Sequence, residues 1–298
     1  MIPYVRQIDF EYGRVDQVSP LIRRVIANNP GPFTYTGTGT YIVGQGEVAV
    51  IDPGPDMPEH LQAILAAVEG ETVTAILVTH HHADHSPLAR PLKARTGAPI
   101  YGCAAPASRS PLAEGPQMEH AADAGFTTDV DLCAGGAVAG RGWTFEAIPT
   151  PGHTSNHLCY ALREENALFT GDHVMGWSTT VVTPPDGDMT DYMESLQRVR
   201  AGNFATLWPT HGPPVREPAP FLDAYVAHRR GRETQILTAL KDGPARIAGL
   251  VPRLYADVDP KLHPAAACSM LAHMIDLVRR GLVRTDGAPG PGNEYRLA

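Results

Sequence analysis

The chain is short of cysteine, of charge and of unbroken apolar sequence, and each shortage closes off a class of protein. Its four cysteines, Cys103, Cys133, Cys159 and Cys268, stand far apart with no Cys-x-x-Cys pair. They read as reduced, mostly buried thiols rather than a disulfide frame or a thiolate zinc site. The opening residues MIPYVRQIDFEYG hold an arginine and two acids where a secretory signal needs a cationic start and a continuous apolar run. No apolar window reaches the length of a bilayer span, because Gly and Pro interrupt most of the apolar stretches. A cytoplasmic protein with no membrane partner is the expectation.

What is present points to an α/β enzyme. With 298 residues, 43% of them hydrophobic, the chain can bury one large core and still carry a small second module. Residues 1–215 hold 12 Lys+Arg against 23 Asp+Glu, a net of −11, whereas 216–298 hold 12 against 9, a net of +3. Carboxylates concentrated in the front part suit metal binding; a basic tail suits either an anionic partner or an ordinary solvated helix face.

The front part alternates β-type runs with helical patterns. Tyr41 to Val43 and Val48 to Ile51 read as a hairpin closed at Gly44-Gln45-Gly46, and Pro58 to Val68 as a helix. Thr74 to Val78 is a buried strand, after which Ser86-Pro87 opens a helix. Short strands follow at Ile100 to Tyr101, Trp143 to Ile148, Leu158 to Leu162 and Leu168 to Thr170, then a helix capped by Asp188 and a last strand at Leu207-Trp208. A Pro-rich stretch from Pro213 to Pro220 separates a catalytic domain, 1–215, from a helical domain, 216–298. In the latter, helices over Phe221 to Leu240, Ile247 to Tyr255 and Pro264 to Arg280 precede a β-hairpin, Leu282 to Arg284 and Tyr295 to Leu297, which makes a winged-helix topology.

The strongest motif is Thr79-His80-His81-His82-Ala83-Asp84-His85, an HxHxDH run directly after a buried strand. Imidazole and carboxylate suit Zn²⁺, and four such groups on one turn cannot all meet a single tetrahedral ion, so they divide between two. His153, Asp172 and His211 each follow a strand of their own; strand ends in a layered sheet converge on one rim, where residues distant in sequence can meet. His81 and His173 adjoin ligand candidates and read as structural or rim residues, His157 as a supporting imidazole with a substrate-oxyanion contact as the sharper possibility, and His60 and His120 as residues outside the cluster. Gly37-Thr38-Gly39-Thr40 lacks the Lys-Ser/Thr of a phosphate loop and reads as a turn entering a strand.

In this order the motifs resemble the metallo-β-lactamase superfamily, over residues 36 to 212. The resemblance implies an αββα sandwich followed by a winged helix. It implies that His80, His82 and His153 hold one ion, that Asp84, His85 and His211 hold the other, and that Asp172 bridges them. Asp52, in Ile51-Asp52-Pro53-Gly54, would orient a ligand imidazole or the adjacent turn rather than coordinate. The implied cofactors are two divalent ions, Zn²⁺ first, with Mn²⁺ or iron as alternatives. A hydroxide shared by two such ions is a nucleophile at neutral pH, and Asp84 is the expected base.

Phe169 to Gly176 with Thr179-Thr180-Val181, the helix around Asp191 to Leu196, and His228-Arg229-xx-Arg232-Glu233-xx-Ile236-Leu237 look like the β-lactamase-like endoribonuclease family with a C-terminal winged helix. The resemblance implies hydrolysis of single-stranded RNA, with Arg229, Arg230, Arg232, Arg279 and Arg280 as candidate phosphate contacts. An acidic chain without an aromatic stacking strip counts against RNA. A glyoxalase II-like thioesterase acting on a small thioester is the competing expectation. A one-iron persulfide oxidase and a DNA-binding regulator are the further ones.

Overall fold

The computed structural model describes residues 2–105 and 122–298. Seven strands form one sheet in chain order: β1 (Val15–Gln17), β2 (Ile22–Ile26), β3 (Gly39–Gln45), β4 (Glu47–Ile51), β5 (Thr72–Leu77), β6 (Ile100–Gly102) and β7 (Val130–Asp131). Five more form a second sheet: β8 (Gly136–Gly140), β9 (Trp143–Pro149), β10 (Leu158–Leu162), β11 (Ala167–Gly171) and β12 (Thr206–Pro209), in the order β12-β11-β10-β9-β8. β10 and β11 are buried at every residue, which is why their sequences are continuous apolar runs rather than alternating ones.

The two sheets face each other across a core in which Tyr41, Ile51 and Leu77 meet Trp143, Phe145, Tyr160, Phe169 and Trp208. Each of these large side chains contributes roughly 1.5–3 kcal/mol by leaving water. On the outer face of the first sheet Ile42, Val50 and Ile76 pack under α1 (Pro58–Ala67) and α2 (Ala89–Thr96), through Ile64 and Leu92. On the outer face of the second, Cys159, Leu168 and Leu207 pack under Tyr192 and Leu196 of α3 (Met189–Ala201) and Phe221 and Tyr225 of α4 (Pro218–Ala239). The result is an αββα sandwich.

α4 belongs to two cores. Its first half closes the sandwich, and Ile236 and Ala239 at its far end join a separate cluster with α5 (Ile247–Leu254) and α6 (His263–Arg279). A small sheet of β13 (Ala245–Arg246), β14 (Val283–Thr285) and β15 (Glu294–Leu297), in the order β13-β15-β14, completes a winged helix. No helix among the described residues is long and apolar enough to cross a membrane.

The cysteine expectation is corrected here. Cys103 and Cys133 form a disulfide, with Cα atoms 4.6 Å apart, because β6 and β7 run parallel with Gly102 opposite Asp131 and deliver the residues just beyond them to one place. Spacing in sequence carries no trace of that pairing. Cys159 and Cys268 remain thiols.

Strand direction places the site. β4 and β5 are parallel; β9 and β11 both run antiparallel to β10, and β12 runs parallel to β11. The C-terminal ends of β4, β5, β9, β11 and β12 therefore carry Asp52, the HxHxDH run, His153, Asp172 and His211 respectively.

Candidate metal centre

The rim is organised around Asp52, which follows β4 in a left-handed conformation at φ 46°. Its carboxylate is fully buried and accepts four hydrogen bonds: from the Thr79 backbone N–H, the Thr79 hydroxyl, the Thr210 hydroxyl and His85 Nδ1, each at 2.8 Å. One side chain thus ties together the ends of β4, β5 and β12. It also holds the Nδ1 proton of His85, so that Nε2 points into the site.

The other rings are held by the same logic. His153 Nδ1 donates to the Val181 carbonyl at 2.6 Å and His211 Nδ1 to the Gly37 carbonyl at 3.2 Å; a carbonyl only accepts, so in both rings Nε2 carries the lone pair. The Thr79 hydroxyl gives its proton to Asp52, so it accepts from His80 Nδ1 at 3.0 Å, and His80 Nε2 faces inward as well.

These atoms gather into two trios. In the first, His82 Nδ1 lies 2.9 Å from His80 Nε2 and 3.2 Å from His153 Nε2. In the second, Asp84 Oδ2 lies 3.1 Å from His211 Nε2 and 3.7 Å from His85 Nε2. Asp172 stands between them: Oδ1 is 3.5 Å from His85 Nε2 and 3.4 Å from His211 Nε2, and Oδ2 is 3.7 Å from His153 Nε2. All seven residues named from the sequence are brought to one place, and within each trio the donor atoms lie within 4.8 Å of one another.

Asp172 is aimed by its surroundings. Its N–H donates to His157 Nε2 at 3.2 Å, and its carbonyl accepts from the Thr180 hydroxyl at 2.8 Å. Gly171 before it has φ +49°, and a Cβ there would sit 2.7 Å from His157 Nε2 and 2.8 Å from the Thr79 hydroxyl. Only glycine lets the chain pass between those groups.

The electrostatics fit a cation. Burial works against a charged His85, yet Asp84, Asp172 and Asp52 hold its pKa well above the ordinary value. Burial also opposes an ionised Asp172, but His211, His85 and His153 keep its carboxyl well below the usual carboxylate range. His80, buried among His85, His82 and His153, is pushed well below. His85 Nε2, His211 Nε2 and Asp172 Oδ1 are buried without a hydrogen-bond partner, which is costly for polar atoms unless a positive ion collects their lone pairs. Neutral imidazoles with two carboxylates are a donor set that divalent Zn²⁺ accepts.

The remaining histidines stand aside. His81 Nδ1 turns to Asn156 Oδ1 at 2.8 Å, and His173 is buried with its ring 5.0 Å from that of Tyr192. His157 is enclosed between Thr150 and Asp172, which makes it a support for Asp172 and leaves no oxyanion within its reach. His60 meets the Thr40 hydroxyl at 2.8 Å, and His120 lies outside the described residues. The Thr38-Gly39 turn enters β3, and the neighbouring Gly37 carbonyl is what orients His211. Thr79, Thr210, Thr180 and the carbonyls of Gly37 and Val181 were not legible as site residues, because threonines and carbonyls at turns are everywhere.

Four of the five tail arginines proposed for phosphate are engaged internally. Arg279 pairs with Asp188 at 2.7 Å, Arg280 with Glu233 at 2.7 Å and Asp276 at 3.1 Å. Arg229 donates to the Thr180 carbonyl and Arg232 to the Leu254 carbonyl. Arg230 is exposed on α4. A cavity of about 180 Å³ opens onto His153 and Asp172. Its walls are largely apolar, with Phe33, Met175 and Trp177 from the sandwich and Tyr255, Val258 and Leu262 from the winged helix.

A family model described as the metallo-beta-lactamase superfamily matches residues 35–211, and one described as the beta-lactamase associated winged helix domain matches residues 247–291. A beta-lactamase-like protein 2 homolog of Caenorhabditis elegans is 34% identical over 76% of this chain and 74% of its own. An atrochrysone carboxyl ACP thioesterase of Aspergillus chevalieri is 32% identical over 79% of this chain and 70% of its own. Among solved structures, a metallo-beta-lactamase family protein of Thermus thermophilus superposes with a TM-score of 0.75, at 22% identity over 94% of this chain and all of that one.

Proposed function

This chain belongs to the metallo-beta-lactamase superfamily and is a hydrolytic enzyme of it, and we propose that it is a two-metal thioesterase: it splits an acyl thioester whose acyl half lies in the cavity beside His153 and Asp172. The observation that carries this reading is the character of that cavity. Its apolar walls suit an acyl group, while a phosphodiester backbone needs a track of free cations, and of the tail arginines Arg279 and Arg280 are already neutralised by carboxylates. The thioesterase name of the Aspergillus chevalieri relative supports the same choice.

In this proposal His80, His82 and His153 would hold one ion and Asp84, His85 and His211 the other, with Asp172 standing between the two trios. Divalent ions bound there supply a water acidified towards neutrality and a positive charge opposite the carbonyl oxygen. The protein does the rest. Asp52, Val181 and Gly37 take the Nδ1 protons of His85, His153 and His211, so Nε2 of each is the atom turned inward, and His85, whose carboxylate neighbours favour its charged form, would give up its Nε2 proton on ligating. Water adds to the carbonyl carbon, the carbon–sulfur bond breaks with its electron pair going to sulfur, and the products are a carboxylic acid and a thiol. Asp84 takes the proton of the attacking water and returns it to the departing sulfur. Trp177, stacked on Tyr35 at 4.8 Å, and winged-helix residues such as Tyr255 and Leu262 wall the cleft.

The test loads the purified protein with Zn²⁺ or Mn²⁺, measures its metal content, and assays acyl thioesters of N-acetylcysteamine beside a labelled unstructured RNA. Two divalent ions per chain and thioester turnover without RNA cleavage are expected. RNA cleavage with no thioester turnover would replace this reading by the nuclease one.

A further inference from the structure

Arg229 sits in the wall of the same cavity with only 5% of its surface exposed. It donates to the Thr180 carbonyl, and its guanidinium carbon lies 5.0 Å from the Tyr192 ring centre. Its Nε–H is buried with no hydrogen-bond partner, and among the described residues no carboxylate lies within ion-pair distance. Among the described residues the other deeply buried arginine, Arg24, has Asp16 at 3.8 Å. Arg232, on the next turn of α4, lines the cavity too; it lies 3.7 Å from the Tyr255 ring centre and bonds to Gln235 and the Leu254 carbonyl, again with no carboxylate of the described residues within ion-pair distance.

The positive field is felt nearby. Burial first, then Arg229 and Arg232, push His273 down to about 3. A guanidinium taken out of water is expensive to keep without an anion, and its planar fork suits an oxyanion group. Thr180 joins this wall to the site, taking Arg229 on its carbonyl and giving its hydroxyl proton to the Asp172 carbonyl.

We propose that the substrate carries an anionic group, a carboxylate or a phosphate, which pairs with Arg229 and Arg232 while its scissile carbonyl meets the His/Asp cluster. The inference rests on the thioesterase reading for its carbonyl, and its test is chosen to stand apart from turnover. An anion at the far end of the acyl half and one on the thiol half are the two sources of this chemistry.

Calorimetric titrations of the zinc-loaded protein with reaction products separate them. Hexanoate and the linear diacids from glutarate to suberate all offer one carboxylate to the metal centre, and only the diacids offer a second. N-acetylcysteamine against phosphopantetheine makes the same comparison for the thiol half. One arm is expected to show at least a tenfold gain in affinity for the anionic ligand, and Arg229→Gln and Arg232→Gln are each expected to remove most of it. The Arg232 variant stands in should Arg229→Gln fail to fold by circular dichroism. No gain in either arm, or a gain that survives in the folded variants, overturns the anion seat. A gain with no thioester turnover overturns the thioesterase reading and leaves the seat in place.

Discussion

Asp52 and Asp84 lie in the same cluster, and their substitutions separate holding from proton transfer. Asp52→Ala leaves four buried donors without an acceptor, each worth roughly 1–3 kcal/mol when stranded, and frees the His85 ring. It is expected to lower the melting midpoint sharply and weaken metal binding by about 10–100-fold. Asp84→Ala is expected to keep the fold while lowering turnover by roughly 10²–10⁴ in metal-loaded protein. Calorimetry, metal competition and single-turnover kinetics check both; near-normal turnover in folded, metal-loaded Asp84→Ala removes Asp84 as the base. At this scale His80, His82, Asp84 and His85 were readable because HxHxDH is a dense spacing of rare residues, and His153, Asp172 and His211 only through the motif order that follows it. The threonines and carbonyls that aim them were not, since their role exists only once strand ends meet.

Elements were legible where period and caps agreed. Asp188 accepts from the N–H groups of Thr190 and Asp191 at the start of α3, and it also pairs with Arg279 of α6, so one side chain caps a helix and staples the winged helix to the sandwich. Asp188→Ala is expected to cost about 1 kcal/mol for the cap and less for the half-exposed ion pair. Burial opposes ionisation of Asp188, but Arg279 and the backbone N–H groups lower its pKa below 3.8. Its stabilisation is therefore full above that value and fades as pH falls through the folded pKa, so the variant's deficit in urea midpoint should shrink at lower pH. A deficit that stays constant with pH would sink the ion-pair part. The elements not read from sequence are instructive. β2 carries Arg23 and Arg24, whose charges are absorbed by Glu71 and Asp16, and β8 is Gly-Ala-Val-Ala-Gly; neither has the apolar alternation that marks a strand.

At the scale of the molecule, two buried histidines in different cores share an acid limit. Burial pushes His60, under α1, down to about 4, and burial with Arg229 and Arg232 pushes His273, in α6, to about 3. The folded chain prefers both rings neutral, so their contribution is fully present above the unfolded value near 6.5 and is lost as pH falls from there towards the folded values. The melting midpoint is expected to fall over that window, and His60→Gln to fall less steeply between pH 6.5 and 4. Parallel slopes would show that His60 plays no part.

Composition and hydrophobic period pointed to a layered α/β chain with a helical tail and the dense motif to four rim groups, because burial patterns and ligand chemistry are local properties of sequence; His153, Asp172 and His211 came from the order of motifs and the resemblance it carries. Only tertiary structure decided the rest. Parallel β6 and β7 made a disulfide from two cysteines 30 residues apart, α4 turned two modules into the walls of one cavity, and Arg279 and Arg280, which looked free for phosphate, found carboxylate partners inside the protein. Each depends on which segments meet across the fold, a long-range fact that no window of sequence contains.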